Sequence, residues 1–354
     1  MNQSPIRVLI VDDSAVIRGL LARALEMDPD ITVSGTAMHG ELALTWMRKQ
    51  PVDIVILDVE MPVMDGLTTL KHIQQEFPSV PVIMASSLTY EGAETTIEAL
   101  SLGAAGCIAK PVAKSASESV NQLLKELVPQ VKAIVHPQKP IPSLRRDSPP
   151  SQKLTQPVVP PKIIVIGAST GGPQALREVL SGLPTDFPLP ILIVQHMPPM
   201  FTPMLAKHLT KDTGRPCQEA TEGIPIQANN TYVAPGDYHM MVDKKNDRMV
   251  LTLNQNEPEH YCRPSVNPMF HSAADWYGKS VVGVMLTGMG ADGIEGTRTL
   301  VEKQGFMIAQ DEESSVVWGM PAAVVSNDLA HRVLPLNQIA SQILRLCTQE
   351  ACLS

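Results

Sequence analysis

Residues 163–176 read IIVIGASTGGPQAL, and the second half of the chain takes its fold from this stretch. Ile163, Ile164, Val165 and Ile166 form a short β-branched apolar run, as expected of a buried strand. A glycine-rich loop follows at 167–172, and Pro173 suits the first turn of a helix. Strand, loop and helix in this order predict an α/β unit with the loop at the carboxyl end of a parallel strand. Gly167, Gly171 and Gly172 let the backbone bend and approach a ligand closely. The helix would direct free N–H groups and its positive end at the loop, which serves a phosphate or an oxyanion equally well. The spacing is neither G-x-G-x-x-G nor G-x-x-x-x-G-K-[ST], and no lysine follows Gly172. A nucleotide site therefore lacks both its spacing and its counter-charge. Ser169 becomes a candidate nucleophile, with a non-catalytic phosphate-binding scaffold as the alternative.

A serine nucleophile needs a base, and the base an orienting acid. The run ILIVQ (191–195) predicts a second strand that delivers His196 at the same sheet edge. A later strand, within Ser280–Thr287, runs into TGMGADG and delivers Asp292. Asp237 and Asp311 also lie in strand-end loops, so the acid stays open among the three. Between these strands lies a β-rich stretch, with runs at Thr231–Ala234, His239–Val242 and Met249–Leu253. Helical patterns fall at Pro203–Lys211, Asp292–Lys303 and Leu336–Leu346. The expectation is a doubly wound parallel α/β domain with an antiparallel portion.

Residues 137–161 hold eight prolines among Ser, Gln, Lys and Arg. Such a segment buries little and reads as an extended, semi-rigid linker. The expected division is a first domain over 1–128, a proline-rich linker over 129–160 and a second domain over 161–348. In the first domain, apolar runs at Arg7–Val11, Ile31–Gly35, Asp53–Leu57, Val80–Ala85 and Gly106–Ala109 alternate with helical patterns. One helix is expected over Ser14–Glu26, capped by Ser14 and burying Val16, Leu20, Ala24 and Met27 on one face. Five βα units with continuously apolar strands imply a flavodoxin-like (βα)5 fold, its parallel sheet covered on both faces.

Asp12 and Asp13 end the first of these strands and Asp58 the third, so three carboxylates converge on one sheet edge. Their mutual repulsion calls for a hard divalent cation with oxygen ligands, for which Mg²⁺ is the natural candidate. Ser86 and Lys110 follow the fourth and fifth strands and add a hydroxyl and a cation to the same rim. A carboxylate beside Mg²⁺ and a lysine can attack a phosphoryl donor, because both cations stabilise charge on the transferring group.

The 354 residues carry a net charge of −8, with 44% hydrophobic and 18% charged residues. An acidic balance argues against bulk attraction to nucleic acid, and therefore against a DNA-binding effector, the main competing function class. The start MNQSPIRVLIVDD is too short and too quickly acidic for a secretory signal. No run reaches the roughly 18 apolar residues that span a bilayer, so no membrane insertion is expected. The five scattered cysteines lack C-x-x-C spacing and are expected to be reduced thiols in a cytoplasmic protein.

Residues 5–128, with VDDS, LDVEMPVMDG, Ser86 and Lys110–Pro111, resemble the response-regulator receiver domain. The resemblance implies that Asp58 accepts phosphate from a chemotaxis histidine kinase. It implies Mg²⁺ held by Asp13, Asp58 and the backbone carbonyl of Glu60, with Asp12 acting through water. Lys110 would pair with the phosphate and Ser86 would sense it. Cys107 stands where many receivers place an aromatic switch residue. The second domain carries VIGASTGGPQAL, QHMPPMFT, YVAPGDYHM, CRPSVNPMFHS, GVMLTGMGADG and SSVVWGMPAA. Together these are similar to the catalytic domain of the chemotaxis protein-glutamate methylesterases. That resemblance implies Ser169 as nucleophile, His196 as general base and Asp292 as orienting acid, with no cofactor for the esterase reaction. It implies Thr170 and the Met289 N–H as oxyanion-stabilising groups, and methylated chemoreceptors as substrate, with glutamine deamidation at the same site. Asn267 stands where some relatives have an acidic residue, a difference expected to touch substrate fit. Phosphate on Asp58 is expected to activate the esterase.

Overall fold

The apolar runs of the first half form one five-stranded, all-parallel sheet, its strands lying side by side in the order Ile31–Ala37, Ile6–Val11, Ile54–Asp58, Val82–Ser86, Gly106–Ala109. This is a computed structural model, and it describes residues 4–87, 89–111, 115–136 and 159–348. The chain divides into two units, residues 1–138 and 139–354. In the first unit the elements run β1 (Ile6–Val11), α1 (Ala15–Leu25), β2 (Ile31–Ala37), α2 (Gly40–Met47) and β3 (Ile54–Asp58). They continue as α3 (Gly66–Glu76), β4 (Val82–Ser86), α4 (Tyr90–Ser101), β5 (Gly106–Ala109) and α5 (Ala116–Val135). The order is that of flavodoxin-like sheets, whose ligands sit outside the carboxyl ends of β1 and β3. β3 and β4 are buried along their whole lengths, which explains their unbroken apolar character.

Two local expectations shift. Ser14 does cap α1, accepting the Ile17 N–H at 3.4 Å. The buried face, however, is Leu21, Ala24 and Leu25, with Ile17 and Leu20 packed beside them. Val16 and Met27 are 71% and 59% exposed. One residue is a rotation of about 100° on a helix, so a stripe read one position early points its ends at solvent. The second shift is at the end of α5, which continues to Val135, past the expected boundary at 128 and through Pro129. Leu123, Leu127 and Val131 form one buried stripe against the sheet, and that burial carries the helix past the proline. Residues 137–158 of the expected linker lie outside the described residues.

The second unit runs β6 (Ile163–Ala168), α6 (Gly172–Ser181), β7 (Ile191–Gln195), α7 (Thr202–Thr213), β8 (Cys217–Glu219) and β9 (Thr231–Val233). β10 (His239–Lys245), β11 (Arg248–Asn254), α8 (Val266–Tyr277), β12 (Val281–Met285) and α9 (Ile294–Glu302) follow. It closes with β13 (Phe306–Gln310), α10 (Met320–Ser326), β14 (Arg332–Leu334) and α11 (Leu336–Thr348). Seven strands make a parallel sheet in the order β14-β13-β12-β6-β7-β9-β8. Of the β-rich stretch, β9 joins this sheet, and the antiparallel portion is the separate β10–β11 hairpin. Asn246 and Asp247, both at positive φ, form its two-residue turn.

Candidate active site and phosphoacceptor pocket

β6 lies between β12 and β7, and its crossover through α6 leads to β7. The crossover from β12 leads the other way, to β13. Strand order therefore reverses between β6 and β12, which opens a crevice at their carboxyl ends. Ser169 stands there, at the first position after β6. Its N–H donates to the Thr287 carbonyl at 3.0 Å, and its own carbonyl accepts from Gly172 at 2.7 Å. Gln195 Nε2 donates to that same carbonyl at 2.8 Å. Gly171 caps α6 at φ 77°, a left-handed backbone that glycine adopts without strain. Gly288 fills a different need: a Cβ there would lie 2.7 Å from the Ser169 Cβ.

Ala168 and Gln195 are register partners, and the His196 N–H donates to the Ala168 carbonyl at 3.1 Å. Ser169 and His196 thus leave adjacent strands at the same level. His196 Nε2–H donates to Asp292 Oδ2 at 2.7 Å. Asp292 is 2% exposed and held from two further sides. Ser265 Oγ donates to its Oδ1 at 2.6 Å, and the Val266 N–H donates to its Oδ2 at 2.7 Å. Ser265 and Val266 open α8, so the carboxylate sits at the positive end of a helix. Burial works against the Asp292 charge, but His196, Ser265 and Val266 hold its pKa below the ordinary carboxylate range. Burial also works against a charged His196 ring, and there Asp292 and the Cys262 sulfur prevail, raising it well above an ordinary imidazole.

Asp292 alone of the three candidate acids meets His196. Asp237 is taken up by Arg263, at 2.9 Å from Nε and 2.6 Å from Nη2, and Asp311 by Ser314. With Nε2 committed to Asp292, Nδ1 is the nitrogen left to receive a proton. Among the described residues no hydrogen bond joins the Ser169 hydroxyl to the ring. The N–H groups of Thr170 and Met289 likewise have no partner among the described residues. Asn267 is buried and bridges α8 to α9: Nδ2 donates to Glu295 Oε2 and Oδ1 accepts from Gly296, both at 2.9 Å. It faces the packing between helices rather than the crevice, contrary to the expectation of a role in substrate fit. Helix α8 and its contributions to Asp292 were not expected from sequence. Ser265 ahead of apolar positions 266, 269, 270, 273 and 274 is the cap-plus-periodicity signal that marks it.

In the first unit, Asp12, Asp13 and Asp58 each offer a carboxylate oxygen within 4.8 Å of the others. Asp12 and Asp58 are buried, while Asp13 is exposed. Lys110 Nζ lies 2.8 Å from Asp12 Oδ2 and 2.7 Å from Asp58 Oδ1. Asp58 Oδ1 also accepts the Glu60 N–H at 3.3 Å, whereas its Oδ2 is buried without a hydrogen-bond partner. Burial pushes the Asp58 carboxyl up to about 6 against the pull of Lys110. A buried carboxylate oxygen with no donor, beside two further carboxylates, is a donor set that fits a hard divalent cation. The Ser86 hydroxyl donates to the Ser87 carbonyl at 3.1 Å, and the Lys110 N–H to the Ser86 carbonyl at 2.7 Å. Burial alone drives the Cys107 thiol up to about 12, so it remains a neutral residue of β5.

These two units define a class: a receiver-type α/β domain joined in one chain to a doubly wound α/β domain that presents Ser169 and a hydrogen-bonded His196–Asp292 pair at its switch point. Residues 164–343 match the CheB methylesterase family model, and residues 8–120 match that of the response regulator receiver domain. The chain is 43% identical to a protein-glutamate methylesterase/protein-glutamine glutaminase of Azospirillum brasilense, over 98% of this chain and 94% of that one. A relative of the same description from Rhodospirillum rubrum is 44% identical, over 96% and 95%. The solved CheB methylesterase catalytic domain of Thermotoga maritima is 38% identical, with a TM-score of 0.52, covering 53% of this chain and all of that one. The chain belongs to the CheB methylesterase family, in the form with a response-regulator receiver, and is a hydrolase of the protein-glutamate methylesterase/protein-glutamine glutaminase type. Among the described residues no helix is long and apolar enough to cross a membrane.

Proposed function

We propose that Ser169, His196 and Asp292 hydrolyse glutamate γ-methyl esters on chemoreceptors, and that the same residues deamidate glutamines there. The observation that carries this is the 2.7 Å bond from His196 to a buried Asp292 at the switch point that also presents Ser169. Ser169 Oγ attacks the ester carbonyl while its proton passes to His196 Nδ1. Asp292 stabilises the imidazolium that forms and keeps Nε2 protonated. The Thr170 and Met289 N–H groups take the oxyanion, at roughly 3–4 kcal/mol for a strong donor in such sites. His196 returns the proton to departing methanol, then activates the water that releases glutamate. A primary amide follows the same course and releases ammonia. A fluorophosphonate probe should label Ser169 in the full chain and slow at least tenfold in His196→Gln; label on another residue would refute the assignment.

In the first unit, Asp58 is the phosphoacceptor for a chemotaxis histidine kinase. Asp13, Asp58 and the Glu60 carbonyl would hold Mg²⁺, with Asp12 one water further out. When bound, that ion neutralises charge on the transferring phosphoryl group. Lys110, now paired with Asp12 and Asp58, turns to the phosphate, and Ser86 reports its arrival. Phosphorylation activates the esterase, and the protein works in the cytoplasm, in keeping with the four free cysteines among the described residues. A small phosphodonor should raise methanol release by the wild type and leave Asp58→Asn at its basal rate. Equal activation of both would remove Asp58 from the pathway.

A further inference from the structure

Cys262 closes a tight turn beside the catalytic base. Glu259 and Cys262 exchange backbone hydrogen bonds at 3.2 and 2.8 Å, and His260 and Tyr261 between them take φ of 48° and 64°. This type I′ geometry fixes the Cys262 backbone and directs its side chain. Its Sγ lies 3.5 Å from His196 Nδ1 and 3.5 Å from the His260 carbonyl oxygen. The carbonyl can only accept, so the thiol donates its S–H there and turns sulfur lone pairs toward the ring. On the ring's other side stands Asp292, also an acceptor, at 2.7 Å from Nε2. Both ring nitrogens therefore face acceptors, a setting that the doubly protonated ring satisfies in full.

The turn is pinned from outside. His260 Nε2 lies 3.0 Å from Glu295 Oε2, and the Asn267 amide holds the same carboxylate. Arg263, the next residue along, is tied to Asp237 at 2.6 Å. The charged and titratable groups around the pair are thus Asp292, Cys262, the His260–Glu295 pair and the Arg263–Asp237 pair. Ser169 has no bond to the ring, so the nitrogen it needs is held by Cys262 instead.

We propose that Cys262 is a positioning residue for the catalytic base, holding His196 Nδ1 in the resting enzyme and yielding that nitrogen to Ser169 when ester binds. This rests on the assignment of Ser169, His196 and Asp292 to the esterase. A doubly protonated ring cannot take the Ser169 proton, so Cys262 helps set the pH at which the enzyme becomes active. The raised His196 pKa, to which the Cys262 sulfur contributes, agrees with this. Removing the sulfur withdraws an acceptor from the charged ring. The ring then loses its proton at lower pH, and the base becomes available earlier.

The test is the pH profile of kcat/KM for methanol release by the full chain activated with a small phosphodonor. Cys262→Ala should move the acid limb to lower pH by about 0.5–1 unit, a three- to tenfold change in the proton equilibrium. Cys262→Ser, which retains an acceptor, should restore the wild-type limb. An unmoved or upward-shifted limb in Cys262→Ala overturns the proposal. A second measurement is independent of turnover: iodoacetamide alkylation of Cys262 in a Ser169→Ala background, read by peptide mass. Adding His196→Gln should slow that alkylation by about tenfold, because the sulfur then loses its neighbouring imidazolium. Equal rates overturn the pairing even where Ser169→Ala has abolished the esterase. Esterase activity that survives Ser169→Ala instead overturns the triad.

Discussion

Ser169→Ala should lower kcat for methanol release from methylated receptor by about 10⁴-fold or more, with the fold intact. The anchoring of this residue is done by its backbone, through the bonds to Thr287, Gly172 and Gln195. Its hydroxyl makes no hydrogen bond among the described residues, so alanine leaves no buried partner unsatisfied. The Cβ that packs on Gly288 is kept. Melting behaviour and receptor binding should therefore match the wild type while the chemistry fails. A small residual rate above that in water is expected, because the Thr170 and Met289 N–H groups remain in place. Methanol release within tenfold of wild type would return GASTGG to the alternative of a phosphate-binding loop without a nucleophile.

Much of this site is written in strand ends. Apolar runs are easily recognised as strands, and in a parallel sheet the residue after each run falls on one edge. That geometry is enough to bring Asp12, Asp58 and Lys110 together, and to set Ser169 beside His196. It does not choose among Asp292, Asp237 and Asp311, since all three follow strands. The choice is made by partners distant in sequence: Arg263 occupies Asp237, Ser314 engages Asp311, and the start of α8 holds Asp292. Helix faces are less legible. Val16 and Met27 are as apolar as Leu21 and Leu25, and only the packed sheet shows which stripe is buried. The end of α5 is lost for a related reason, because Pro129 reads locally as a stop while Val131 is fixed by a core that local sequence does not display. Cys262 is hidden more deeply, since its bearing on His196 depends on a turn made by residues with no glycine to announce it.

Asp292→Asn should lower kcat by about 10²-fold, less than the roughly 10⁴-fold expected when an amide flips the tautomer of a catalytic histidine. The difference lies in what surrounds the carboxylate. Oδ2 faces two donors, the Val266 N–H and His196 Nε2–H. An amide nitrogen at that position would set donor against donor. The carboxamide is thereby turned so that its oxygen replaces Oδ2 and its nitrogen replaces Oδ1, where the Ser265 hydroxyl can rotate to accept. His196 then keeps its proton on Nε2 and its lone pair on Nδ1. What is lost is the negative charge that stabilises the imidazolium in the transition state, worth about 3 kcal/mol for a charge-assisted bond, or about 10²-fold in rate. The same loss fixes the sign of the pH effect. Asp292 holds the His196 pKa up, so without its charge the ring deprotonates at lower pH, and the acid limb of kcat/KM should move down. Combining Asp292→Asn with Ser265→Ala removes the hydroxyl that receives the amide N–H, and should deepen the defect beyond the product of the single losses. A 10⁴-fold loss in Asp292→Asn alone, or an acid limb that rises, would show that the start of α8 does not orient the acid as its hydrogen bonds indicate.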